Sequence, residues 1–111
     1  MPMLDQREQA LELAFVHDEE VRFLMLTHRN KLFGHWAADR LQYKGEIAER
    51  YIQSIVDSIG RPAGAQTPDD RIVSRVADDF KNAGLGVSSD EVRAALSRYE
   101  DESKAALRTK A

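Results

Sequence analysis

The sequence contains no cysteine, which excludes a disulfide framework, zinc–thiolate and iron–sulfur centres, and thiol catalysis. No apolar run approaches the roughly 20 residues needed to span a bilayer. Residues 1–12 carry charges where a secretory leader needs an apolar stretch, which points away from export. Basic residues are in the minority, 16 against 19 acidic for a net charge of −3, so nucleic acid is not the expected partner. There is no glycine-rich phosphate loop: Gly60 and Gly64 enclose a proline and lead to no Gly-Lys-Ser/Thr. Nor does any stretch alternate apolar and polar residues over a strand's length. These exclusions leave one small, reduced, helical domain of 111 residues, 42% hydrophobic and 32% charged, expected in the cytoplasm.

Charge is distributed unevenly. Residues 1–22 sum to −4 and residues 23–50 to +2, an acidic front beside a basic middle. Helical periodicity runs through the whole chain. Asp5 and Glu8 have the spacing of a capping box, and from there to residue 43 nothing stops a helix decisively. Gly34 weakens it by about 1 kcal/mol, and Gly45 is the first credible break. A second helix over 46–59 puts Ala48, Tyr51, Ile52, Ile55 and Ile59 on one face, with Gly60 as its stop. Residues 61–66 form a loop. Thr67-Pro68-Asp69-Asp70 then reads as an N-cap, a first-turn proline and two acids at the positive end of a helix dipole. The third helix aligns Ile72, Val73, Val76, Ala77, Phe80 and Ala83 and closes at Gly84. Ser88 with Glu91 forms a capping box, bracketed by Val87 and Val92 as a hydrophobic staple. The fourth helix buries Val92, Leu96, Tyr99, Ala106 and Leu107. Short connections favour antiparallel neighbours, so the expected fold is a small all-α four-helix bundle.

The first helix is too long for such a domain. As one helix, residues 5–43 would measure about 58 Å, against roughly 34 Å for the diameter of a compact domain this size. Either the helix breaks near residues 16–20 or its front projects. Both options make residues 1–18 a separable arm and 19–111 the bundle. The apolar pattern divides at the same place. Beyond residue 20, Val21, Met25, Leu32, Trp36 and Tyr43 lie on one side and Phe23, Leu26, Phe33, Ala37 and Leu41 on the other, as in a helix central to a bundle. Before it the stripe thins to Leu4, Leu11, Ala14 and Phe15 among charges, the profile of a segment that docks where a partner supplies the other wall.

Catalytic chemistry is hard to find. His28 and His35 share a face but stand about 10 Å apart along the axis, too far to share a metal. His17 and Glu20 have ligand-like spacing, yet two ligands make no site. The serines lack a nucleophile elbow or a partnered base. Asp69-Asp70 is explained by the helix end and Asp78-Asp79 by a solvated face. Arg29, Asn30 and Lys31 near Trp36 could hold a phosphate and stack a base, or their stems could simply cover the core. No metal, cofactor or active site is expected.

The stretch Arg29-Asn30-Lys31-Leu32-Phe33-Gly34-His35-Trp36-Ala37-Ala38 resembles the R-N-K-L-L-G-x-W-A-A segment of the zeta subunit family, the ATPase inhibitors of alphaproteobacterial F-type ATP synthases. Upstream, Asp5, Arg7, Glu8, Ala10, Glu12, Phe15, His17-Asp18-Glu19-Glu20 and Phe23 are similar to that family's F-D-D-R-E-K-A-x-E-x-K-F-x-H-D-E-E opening. Downstream, Asn82-Ala83-Gly84-Leu85-Gly86-Val87-Ser88 with Glu91, Val92 and Arg93 matches its last inter-helix turn. The resemblance implies a four-helix bundle, peripheral to the inner membrane without entering it, whose N-terminal segment enters an alpha/beta catalytic interface near the gamma subunit and blocks hydrolytic rotation. Leu4, Leu11 and Phe15 would be its apolar anchors, and Asp5, Arg7, Glu8 and Glu12 would fix orientation. It also implies a purine-nucleotide ligand, ADP or ATP, for Arg29, Asn30, Lys31 and Trp36. Three features depart from the family: Leu4 stands for Phe, Gln9 and Ala14 replace basic residues, and the linker at 61–69 is longer. Two alternatives stay open, a purine-nucleotide-binding helical regulator and a zeta-like interaction domain with little inhibitory activity.

Overall fold

The computed structural model describes residues 18–58 and 66–110, with side chains to residue 108. These residues form four helices: α1 Glu19–Arg40, α2 Gly45–Val56, α3 Pro68–Asn82 and α4 Ser89–Lys110. The all-α bundle expected from periodicity is what forms. The residues expected to form an inhibitory arm, Leu4, Asp5, Arg7, Glu8, Leu11, Glu12 and Phe15, together with His17, Ile59 and Gly60, lie outside the described residues.

The front of α1 is set by Asp18. Its backbone is extended (φ −102°, ψ 107°) and its carboxylate accepts from the N–H groups of Glu20 at 3.0 Å and Val21 at 3.2 Å, so two of the four orphan donors of a helix start are satisfied. The choice between a break at residues 16–20 and a projecting front concerns residues outside the described ones.

The other end differs from the expectation. α1 stops at Arg40, before Gly45, in a Schellman turn: Tyr43 N–H donates to Ala38 O at 2.9 Å and Gln42 N–H to Asp39 O at 3.0 Å. The left-handed residue is Gln42 at φ +62°, a position where the sequence offers no glycine to mark the stop. Gly45 opens α2 instead of closing α1. α2 also ends earlier than expected, at Val56 with Asp57 as its C-cap. α3 follows its signals: Thr67 Oγ1 accepts from Asp70 N–H at 3.1 Å, Pro68 leads the helix, and Gly84 at φ +77° closes it with Leu85 N–H on Phe80 O. α4 is capped by Ser88, whose hydroxyl accepts from Glu91 N–H at 3.1 Å.

α1 is central, packing on α2 along one side and on α4 along another, while α3 packs on α4. The core joins Phe33, Ala37 and Ala38 of α1 with Tyr51 and Ile55 of α2, Ile72, Val73, Val76 and Phe80 of α3, and Val92, Ala95 and Leu96 of α4. Each large side chain here contributes about 1.5–3 kcal/mol. Ala83 is exposed as the C-cap of α3 rather than facing the core. Phe23 and Tyr43, placed by periodicity on apolar stripes, are 56% and 38% exposed; Tyr43 packs one ring edge on Tyr51 of α2 at 5.4 Å and leaves the rest of its surface open. Gly34 has a packing role: a Cβ there would stand 3.2 Å from the Ile52 backbone, so its absence lets α1 and α2 close on each other.

Candidate functional site

Arg29 is the most buried cation described, 2% exposed in the middle of α1. Its guanidinium faces inward and meets three helices. Nη1 and Nη2 donate to the two oxygens of Asp69, at 3.1 and 3.0 Å, a fork at the start of α3. Nη1 also donates to Glu100 Oε1 of α4 at 2.9 Å, and Nε to Asn30 Oδ1 at 2.9 Å. Lys104 stands 3.7 Å from the other Glu100 oxygen. Two cations and two carboxylates make the cluster neutral, so Arg29 is held by charges from within the chain. A phosphate reaching it would have to take the place of Asp69.

Asn30, fully buried, donates through Nδ2 to Ile55 O at 3.3 Å and so ties α1 to the end of α2. Lys31, two residues and about 200° round the helix from Arg29, is exposed. Trp36 is half-buried, stacked on Phe33 at 5.6 Å, edge-on to Phe80 at 5.5 Å, with the Arg40 guanidinium 5.2 Å from its ring centre. The four residues do not converge on one surface. Arg29 and Asn30 point into the helix junctions, Lys31 into solvent, and Trp36 onto the core.

Beside Arg29 a cleft of about 480 Å³ lies between α1 and the start of α3, lined by Arg22, Leu26, Arg29, Thr67, Pro68, Asp69 and Ile72. Further round, Arg93 holds the Asp70 carboxyl below its ordinary value through a 2.9 Å ion pair, aided by Thr67. His28 Nδ1 and the buried Ser103 hydroxyl are 2.8 Å apart across α1 and α4. Tyr51 donates to Asp79 at 2.8 Å, and burial, reinforced by that bond, pushes its phenol well above the usual tyrosine range. All of these join helices. Among the described residues no group of three or more His, Cys, Asp or Glu could hold a metal, and no helix is long and apolar enough to cross a membrane.

Exposed apolar side chains among the described residues sit elsewhere, with Ile47 on α2 63% exposed. Phe23 and Leu24, 56% and 53% exposed, occupy the first turns of α1 just after the Asp18 cap. Sequence reasoning took Phe23 for packing, and nothing local distinguishes an apolar helix position that finds a neighbour from one that does not. Of the partners of Arg29, Asp69 reads in the sequence as a helix-end acid, and no local signal singles out Glu100.

Searches of curated proteins and of solved structures returned no match. A family model, described as ATPase inhibitor subunit zeta, matches residues 1–106. The match takes in the segment before Asp18, all of α1 to α3 and most of α4. With nearly the whole chain covered and the predicted helices in place, the protein belongs to the ATPase inhibitor subunit zeta family.

Proposed function

We propose that this chain is a non-enzymatic brake on the F-type ATP synthase of an alphaproteobacterium, acting in the cytoplasm at the membrane-peripheral sector. Residues 1–18 enter an alpha/beta catalytic interface beside the gamma subunit and oppose rotation in the hydrolytic direction. The observation that carries the reading is the family match, which extends through residues 1–17 as well as the helices. Two features support it. The bundle core is built from all four helices and closes on itself, and the exposed Phe23 and Leu24 lie next to the residues assigned to docking. Leu4, Leu11 and Phe15 act as anchors, with Asp5, Arg7, Glu8 and Glu12 orienting them.

The test is ATP hydrolysis by an alphaproteobacterial F-type ATPase stripped of its own zeta subunit, with the full chain titrated in. Saturable inhibition that disappears in the Leu11→Asp/Phe15→Asp variant, with its helical signal unchanged, supports the reading. Equal inhibition by that variant refutes the arm's role. The rival reading, a purine-nucleotide regulator held through Arg29, Asn30, Lys31 and Trp36, requires Asp69 to release Arg29. Titration with ATP that leaves the amide resonances of residues 29–36 unmoved eliminates it.

A further inference from the structure

α1 packs on α2 and α4, and α3 packs on α4. The start of α3 therefore stands off from α1, and the Arg29–Asp69 fork spans the gap. The cleft of about 480 Å³ beside that fork falls within the roughly 300–1,000 Å³ of small-molecule sites. Nothing in the arm reading uses it.

The lining offers three kinds of surface. Half-buried Leu26, exposed Pro68 and buried Ile72 supply apolar contact. Arg29 and Asp69 bond each other, with both Asp69 oxygens held in the fork. Arg22 is exposed and makes no hydrogen bond or ion pair among the described residues. Thr67 adds a hydroxyl whose oxygen accepts from Asp70 N–H, while its proton serves no bond among the described residues. Two cations against one carboxylate leave the lining with one positive charge.

That charge and shape select a ligand class. One uncompensated guanidinium matches a single carboxylate, which it can meet with two parallel N–H donors. A polyphosphate would set several negative charges against that one cation and crowd the Asp69 carboxylate. No aromatic ring stands among the described lining residues, so a purine has nothing to stack on. We propose that the cleft binds a small aliphatic monocarboxylate. Its carboxylate sits on Arg22 and the Thr67 hydroxyl, and its alkyl body lies on Leu26, Pro68 and Ile72. Arg29 keeps its fork with Asp69 behind the ligand. The site is independent of the arm and of its role on the ATPase.

The test is a titration of the full chain with octanoate at neutral pH, followed by amide resonances. Saturable movement of residues 22, 26, 67, 69 and 72 is expected, with a dissociation constant of about 1 mM for a ligand this small. Hexanoate, two methylenes shorter, should bind about fivefold to fifteenfold more weakly. Octan-1-ol, which keeps the alkyl body without the charge, should lose about tenfold, and Arg22→Gln should lose about the same with octanoate. Octanoate binding that is absent, equal in Arg22→Gln or matched by octan-1-ol overturns the proposal. So does movement centred on Phe23, Leu24 or Ile47, which would mark adhesion to exposed apolar side chains, or displacement of octanoate by ATP. Leu26→Ser should weaken octanoate several-fold. Should that variant lose its helical signal, Arg22→Gln and the octan-1-ol comparison decide, because Arg22 makes no bond that holds the bundle.

Discussion

Replacing Arg29 by methionine keeps most of the buried stem and removes the guanidinium, with four hydrogen bonds lost at once. The cost depends on what is left behind. Asn30 Oδ1, in a fully buried residue, loses its donor, which costs about 1–3 kcal/mol. Asp69 and Glu100 lose their counter-charge, but their side chains are 48% and 32% exposed and water takes over part of the work. Their share therefore falls below the roughly 3–5 kcal/mol of a fully buried broken pair. The sum is about 2–4 kcal/mol, a large part of the 5–15 kcal/mol typical of a domain. At about 4–8 °C per kcal/mol for a domain near this size, the melting temperature should fall by roughly 8–32 °C.

Circular dichroism during urea and thermal unfolding measures this directly. A double-mutant cycle with Asp69→Asn isolates the fork, and a coupling of about 1 kcal/mol or more is expected. Arg29→Lys should recover only part of the loss, because an ammonium cannot span both Asp69 oxygens. A loss under about 0.5 kcal/mol for Arg29→Met, the scale of an ordinary surface change, would refute the reasoning. It would mean that the guanidinium is not a structural hub and would return Arg29 to the list of ligand-binding candidates.

Gln42→Gly should stabilise the protein by up to about 1 kcal/mol in chemical denaturation, since it relieves a left-handed backbone and gives back part of the gain as unfolded-chain entropy. Gly34→Leu should cost about 1–3 kcal/mol or more, because the first added carbon already meets the Ile52 backbone at 3.2 Å; retained stability would show that α1 and α2 can separate cheaply. Tyr51 has its phenol shifted upward, so the folded state favours the neutral form. Its contribution is whole below about pH 10 and is lost as pH rises further. Tyr51→Phe should accordingly cost about 1–2 kcal/mol at neutral pH and flatten the alkaline part of the stability curve.

The ten-residue stretch of residues 29–38 was the most specific feature of the sequence, and its structure explains it as packing chemistry. Arg29 joins α1 to α3 and α4, and Asn30 binds a carbonyl near the end of α2. Phe33, Ala37 and Ala38 enter the core, and Gly34 admits the Ile52 backbone. As a phosphate and base site the same residues are poorly placed, since Lys31 faces away from Arg29 and Trp36 already packs on Phe33, Phe80 and Arg40. Residue type left a ligand site open beside the core-covering reading, because arginine, asparagine and lysine are what a phosphate site uses. Whether they face out or in depends on groups far along the chain.

Local signals alone were sufficient for the existence of the helices and for several of their ends. The Thr67-Pro68 start, the Gly84 stop, the Ser88 cap and the core faces of α2 and α3 all follow from hydrogen bonds and burial within a few residues of one another, which the order of amino acids specifies directly. Length showed that a helix over 5–43 is too long for the bundle, but left a break near 16–20 and a projecting front as equal ways out. Tertiary structure decided the rest. It ended α1 at Arg40 and put the left-handed turn on Gln42, a residue with no intrinsic preference for it. It left Phe23 and Leu24 open at one end of α1. It also brought Asp69 and Glu100, 40 and 71 residues away, onto Arg29. Those pairings depend on which helix faces meet and at what angle, a property of the packed bundle as a whole that short-range periodicity does not contain.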